Sequence, residues 1–152
     1  MRVVRPTASV WIVGAHGGAG ETTLADLVEG WEAADHSWPT PSDLSFQCPV
    51  LLVARTDSRG LNAARSALRQ WASGVLGEHV ELLGLVLVAD APGKLPKPLR
   101  HLLEVVSGGA PRLWEIPWVE AWRTGEPLPL SALPKQLRQL VADASVLSGH
   151  GA

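Results

Sequence analysis

The chain is poor in the residues that mark many functional classes. It has one cysteine, Cys48, no tyrosine and one phenylalanine among 152 residues. A lone thiol closes no internal disulfide, which excludes a stapled secreted scaffold and suits a reducing cytosol, the expected location. Cys48 precedes Pro49 and an apolar run, so it reads as a packed thiol rather than a reactive one. No apolar run reaches the roughly 18 residues that a bilayer-spanning helix needs, and Arg2, Arg5 and Pro6 do not open a signal peptide. Excess positive charge is missing too: 13 Lys and Arg against 15 Asp and Glu leave a formal net charge of -2. No global field draws such a chain to nucleic acid or an anionic membrane, and neither is an expected partner. Histidines 16, 36, 79, 101 and 150 show no metal-ligand spacing.

What is present is enough apolar residue, 46% against 18% charged, to bury a core within a single domain over 1–152. The first few residues, 1–8, and the Gly-rich end, 148–152, are expected to be loose. Ser9 to Val13 reads as a buried strand that ends at Gly14, followed by a glycine-rich loop and a helix over Glu21 to Val28. Trp31 to Gln47, with Trp38-Pro-Thr-Pro41, reads as a loop. Val50 to Ala54 and Leu82 to Ala89 are apolar strand runs, and Arg112 to Ile116 is a shorter one. Between them Leu61, Ala64, Leu68 and Trp71 share one helical face, capped by Asp57 or Ser58, and Leu99, Leu102, Leu103 and Val106 share another. A helical turn over Trp118 to Arg123, a break at Gly125-Glu-Pro127 and a last helix from Pro134 complete the pattern. Strands alternating with helices imply a parallel sheet of about four strands with helices on both faces, an α/β three-layer sandwich of the P-loop or Rossmann kind.

The loop carries the chemistry. A phosphate-binding P-loop has the form G-x-x-x-x-G-K-[ST]. The matching stretch here is Ala15-His16-Gly17-Gly18-Ala19-Gly20-Glu21-Thr22, followed by Thr23. The last glycine and the hydroxyl residue match, Gly14 lies one place early, and Glu21 stands where the lysine belongs. Glycines let backbone N–H groups turn inward around an anion. At about 4 Å and an effective dielectric near 20, one charge pair is worth roughly 4 kcal/mol, so exchanging attraction for repulsion costs about 5–8 kcal/mol before relaxation. Competent hydrolysis is not expected, and Glu21 is expected to occupy or guard the cradle. Thr22 could ligate a metal only with a magnesium nucleotide in place.

The run His16-Gly-Gly-Ala-Gly-Glu-Thr-Thr-Leu24 resembles the deviant phosphate loop of the ParA/MinD ATPases, K-G-G-x-G-K-[ST]-T, with both lysines replaced. Residues 115–128, EIPWVEAWRTGEPL, are similar to the late I-P…G-x-P-L segment of that family, and 50–68 and 82–90 to its middle strands and intervening helix. Most of the stretch from 9 to about 128 resembles an uncharacterised set of small ParA-like proteins from high-GC bacteria. The resemblance implies the fold. It does not imply hydrolysis, because only about twenty residues separate the first helix from the strand at Val50, where the family's further strands and switch segments are expected to be deleted, and Asp90 stands where relatives often carry a base-contacting Asn.

Two further groups invite a partner. Trp118 and Trp122 are four apart, and Lys94, Lys97 and Arg100 with His101 make a small basic patch. Core packing explains the first more cheaply, and a solvated face the second. Asp57 and Asp90 sit at strand ends, where capping and turn formation account for them. The leading expectation is a non-catalytic ParA/MinD-like domain that needs no cofactor and binds a protein partner in a mobile-element, partitioning or assembly system. The alternatives are an ATP- or ADP-binding protein or weak ATPase that uses the loop, Thr22 and magnesium, and a structural subunit of a larger complex or homo-oligomer.

Overall fold

The computed structural model describes residues 2–4, 8–41, 47–125 and 130–149. In chain order the elements are β1 (Arg2–Val4), β2 (Val10–Gly14), α1 (Glu21–Ala25), β3 (Trp31–Ala33), β4 (Pro39–Pro41), β5 (Cys48–Arg55), α2 (Ser58–Ala72), β6 (Val80–Val88), α3 (Lys97–Ser107), β7 (Leu113–Ile116), α4 (Glu120–Thr124) and α5 (Lys135–Leu147). The main sheet has the order β3-β2-β5-β6-β7, and every neighbouring pair is parallel. It has five strands rather than four. The extra one is β3, which pairs through Val10 with Trp31 and Ile12 with Ala33. Three residues are too few to show a period, so the pairing with β2 alone makes this a strand.

The stretch from 31 to 47 is therefore not one loop. Its second strand, β4, pairs in parallel with β1 as a separate two-stranded sheet. Pro39 and Pro41 argue against a strand from sequence. At alternate positions they lose their donors on the same edge, which a marginal ribbon tolerates. Arg2–Val4, expected to be loose, is thus paired. Helix α1 ends three residues short of the expected Val28, at Ala25. The last helix starts where expected, with Pro134 at its cap. Gly125 closes α4 in the left-handed region at φ 76°. Glu126 to Pro129 and residues 150–152, which carry the expected break, the end of the I-P…G-x-P-L segment and part of the loose tail, lie outside the described residues.

The strands are apolar on both sides because helices cover both faces. On one face Val50, Leu52 and Ala54 of β5 meet Leu61, Ala64 and Leu68 of α2 and Leu103 and Val106 of α3. On the other, Leu51 and Val53 join Leu24 of α1 and Leu137, Leu140 and Ala144 of α5. Fully burying each of these leucines is worth about 1.5–3 kcal/mol. The β5–β6 register slips once, with Val50 opposite Leu82 but Leu51 opposite Gly84. The extra residue, Leu83, inverts the facing of β6 beyond that point, so Leu85 and Leu87 share a face with Leu82. Gly84 then lies under Trp114: a Cβ there would stand 2.5 Å from the Trp114 ring and 2.8 Å from the Arg112 carbonyl oxygen.

Candidate functional site

Strand β2 delivers the glycine loop to the carboxyl edge of the sheet. Its end is tied on both sides: Gly14 N–H donates to the Asp35 carbonyl at 2.7 Å, and Ala15 N–H to the Val53 carbonyl at 2.9 Å. Gly18 (φ 77°) and Gly20 (φ 103°) hold left-handed conformations that a side chain resists, and Ala19 between them is fully buried and pins the loop to the core. Gly17 and Gly18 face solvent.

Glu21 turns its carboxylate onto Gly14, the first glycine of this loop. It is buried to 8% exposure, and its Oε1 lies 3.4 Å from Nδ1 of the exposed His36. The carboxylate packs over Gly14, where an added Cβ would stand 2.8 Å from Oε2. The acid thus lies on the β3 side, and Gly14 is a glycine because Glu21 and His36 fill the space above it.

The cation at the loop is Arg55, the last residue of β5. Its Nε donates to the Gly18 carbonyl at 3.2 Å and its Nη1 to the Ala89 carbonyl at 3.3 Å. Nη2 lies 3.7 Å from where a Cβ on Gly20 would be. The Arg55 N–H donates to His16 Nε2 at 3.1 Å, and His16 Nδ1 lies 2.9 Å from the Gly17 carbonyl. An accepting Nε2 assigns the proton to Nδ1, so His16 serves this arrangement as a neutral ring.

Two cavities flank Arg55. A small one of about 110 Å³ lies between Gly20 and Thr23 on one side and Trp118 and Trp122 on the other. An open cleft of about 410 Å³ is bordered by His16, Gly17, Gly18, Arg59, Trp118 and Arg123, with Asp57 and Asp90 beside them. The tryptophan pair and the glycine loop, separate candidates in sequence, are walls of one site. Both rings are half-buried. Trp118 Nε1 donates to Glu120 Oε2 at 2.7 Å, and Trp122 packs on the core. Trp114 is the core residue expected, its Nε1 donating to Asp143 Oδ2 at 3.0 Å. Thr23 reaches the small cavity, whereas Thr22 is exposed and borders neither.

The basic patch is not part of this cleft. Lys94 and Arg100 border a groove of about 840 Å³ across the ends of β6 and β7, Arg100 Nη1 pairs with Glu115 Oε1 at 2.9 Å, and Lys97 is exposed at the start of α3. Asp57 caps α2 by accepting from Gly60 N–H at 2.7 Å, as its position suggested. Asp57 and Asp90 also stand between groove and cleft, bordering both.

Sequence reasoning missed Arg55, Arg59 and Arg123. The available signal was positional: Arg55 ends the apolar run Val50–Ala54, and ligands in open α/β sheets meet strands at that end. Among the described residues no group of three or more His, Cys, Asp or Glu is placed to hold a metal ion, and no helix is long and apolar enough to cross a membrane.

A parallel five-stranded sheet covered on both faces, with a glycine loop and a cleft at the carboxyl ends of its strands, defines a three-layer α/β domain. Residues 8–141 match the family described as a family of unknown function, DUF6668, and the chain belongs to it. No curated protein and no solved structure matches the chain.

Proposed function

We propose that this domain holds a phosphate-bearing ligand in the cleft beside the glycine loop without hydrolysing it, and serves a protein partner through that occupancy. The observation that carries the reading is Arg55. Its guanidinium rests against Gly18 and Gly20, a cation supplied by the adjacent strand where the loop itself has lost its lysine. Guanidinium is suited to phosphate because its planar fork matches two oxygens at once. Hydrolysis is excluded from the proposal because no lysine borders the cleft and Glu21 occupies the lysine position of the pattern. The resemblance to ParA/MinD proteins makes a nucleotide the natural ligand to test.

Calorimetry with ATP and ADP at millimolar concentration tests this. Saturable heat is expected, lost in Arg55→Ala, with phosphate release far below the 1 s⁻¹ or so of ordinary enzymes. Turnover at an enzymatic pace would overturn it. A second reading, partner binding with no ligand, is favoured by the two carbonyls that already accept from Arg55. Absence of heat with either nucleotide supports that one.

A further inference from the structure

A metal-assisted phosphate site of the P-loop kind takes its magnesium from the loop Ser or Thr and a strand-end Asp. The residues present do not fit that ion. Thr22 is exposed and borders neither cavity. Asp35, on the β3 side, borders neither as well. Among the described residues, Asp57, whose Oδ1 accepts from Gly60 N–H at 2.7 Å, and Asp90 border the cleft with no hydroxyl residue lining it, while Thr23 borders the small cavity, which has no carboxylate. What the cleft has instead is guanidinium. Three arginines, 55, 59 and 123, border it against two aspartates, 57 and 90. Arg59 is exposed, lies 3.9 Å from where a Cβ on Gly17 would be, and has no ion-pair partner among the described residues. Arg123 is held by Glu120, outside the cleft, at 2.8 Å.

We infer that this site binds a metal-free diphosphate, its charge met by Arg55 and Arg59 with Arg123 beside them, and that magnesium competes with binding instead of supporting it. The inference rests on the phosphate reading proposed above. Magnesium on a diphosphate removes negative charge that the arginines would otherwise meet, and brings a cation among guanidinium groups that repel it. A free diphosphate offers paired oxygens to the planar fork of Arg59 and an oxygen to the Nη2 that Arg55 keeps free of the carbonyls.

The test is titration of the whole chain with inorganic pyrophosphate, read by calorimetry and by tryptophan emission, since Trp118 borders the cleft. One buffer contains EDTA and the other excess magnesium. Binding in EDTA is expected, weakened about tenfold by magnesium and about tenfold by Arg59→Ala, the size of losing one charge-assisted contact. Arg59→Lys should recover only part of the loss, because an ammonium keeps the charge but not the fork. Arg59 is solvent-exposed, so its variants leave folding intact, which circular dichroism checks. Binding that requires magnesium, or binding in EDTA that ignores Arg59, overturns this inference and leaves the phosphate reading standing. No binding in either buffer overturns both.

Discussion

At the scale of single residues, two side chains separate what charge does in this fold from what burial does. Cys48 is fully buried at the start of β5, and loss of hydration pushes its thiol up to about 11 from 9.0. The unfolded chain ionises this group first as pH rises, so its contribution is whole below pH 9.0 and falls away towards about 11. That loss amounts to about 3 kcal/mol. Chemical denaturation of wild type and Cys48→Ala should show the two stabilities converging with pH across this window, and a constant gap would contradict the assignment. Native thiol should also resist alkylation at pH 8 until denaturant is added. Glu21 was legible as an oddity in its motif, but not its direction. Its carboxylate turns to His36 and Gly14 because β3 lies there, and β3 was not visible. Glu21→Gln, which keeps the shape and removes a negative charge near the loop, should strengthen pyrophosphate binding a few-fold, as calorimetry would show. Weaker binding would mean that the pair with His36 holds the loop in its competent form.

At the scale of elements, close approach of backbone decides two glycines that composition alone makes look ordinary. Gly60, in the first turn of α2, lies where a Cβ would stand 2.3 Å from the Arg55 carbonyl oxygen. Helix α2 therefore sits against the end of β5 at the residue that carries the cation. Gly60→Ala should cost roughly 1–3 kcal/mol through the forced shift, and weaken phosphate binding by moving Arg55. A thermal melt and a titration measure the two effects. Gly84→Ala would press on Trp114 and, through its bond to Asp143, on α5. The same order of cost is expected, with altered tryptophan emission but no change at the cleft. The long helices and the runs at 50–54 and 82–89 could be read from sequence because they are long and periodic. Strands β3 and β4 could not: one has three residues and the other two prolines, and each exists only through its neighbour.

At the scale of the molecule, the two faces of the sheet share β5, so the domain should unfold as one unit. Leu52 and Leu51 point to opposite cores. Each truncation to Ala should cost about 2–5 kcal/mol and lower the same single transition, with far-ultraviolet and tryptophan signals coincident. Separate transitions would show that the faces are independent. The amino-acid sequence by itself determined the alternation of strand and helix, the parallel sheet covered on both sides and the glycine loop at its edge. Apolar period and glycine placement act locally along the chain, and so can be read from it. Only the tertiary structure decided what stands around that loop. Arg55 comes from another strand, Arg59 from the helix after it, and Trp118 and Arg123 from the far end of the sheet. Residues so distant in sequence meet because parallel strands bring all their carboxyl ends to one edge, and nothing local in the chain marks which of them will touch.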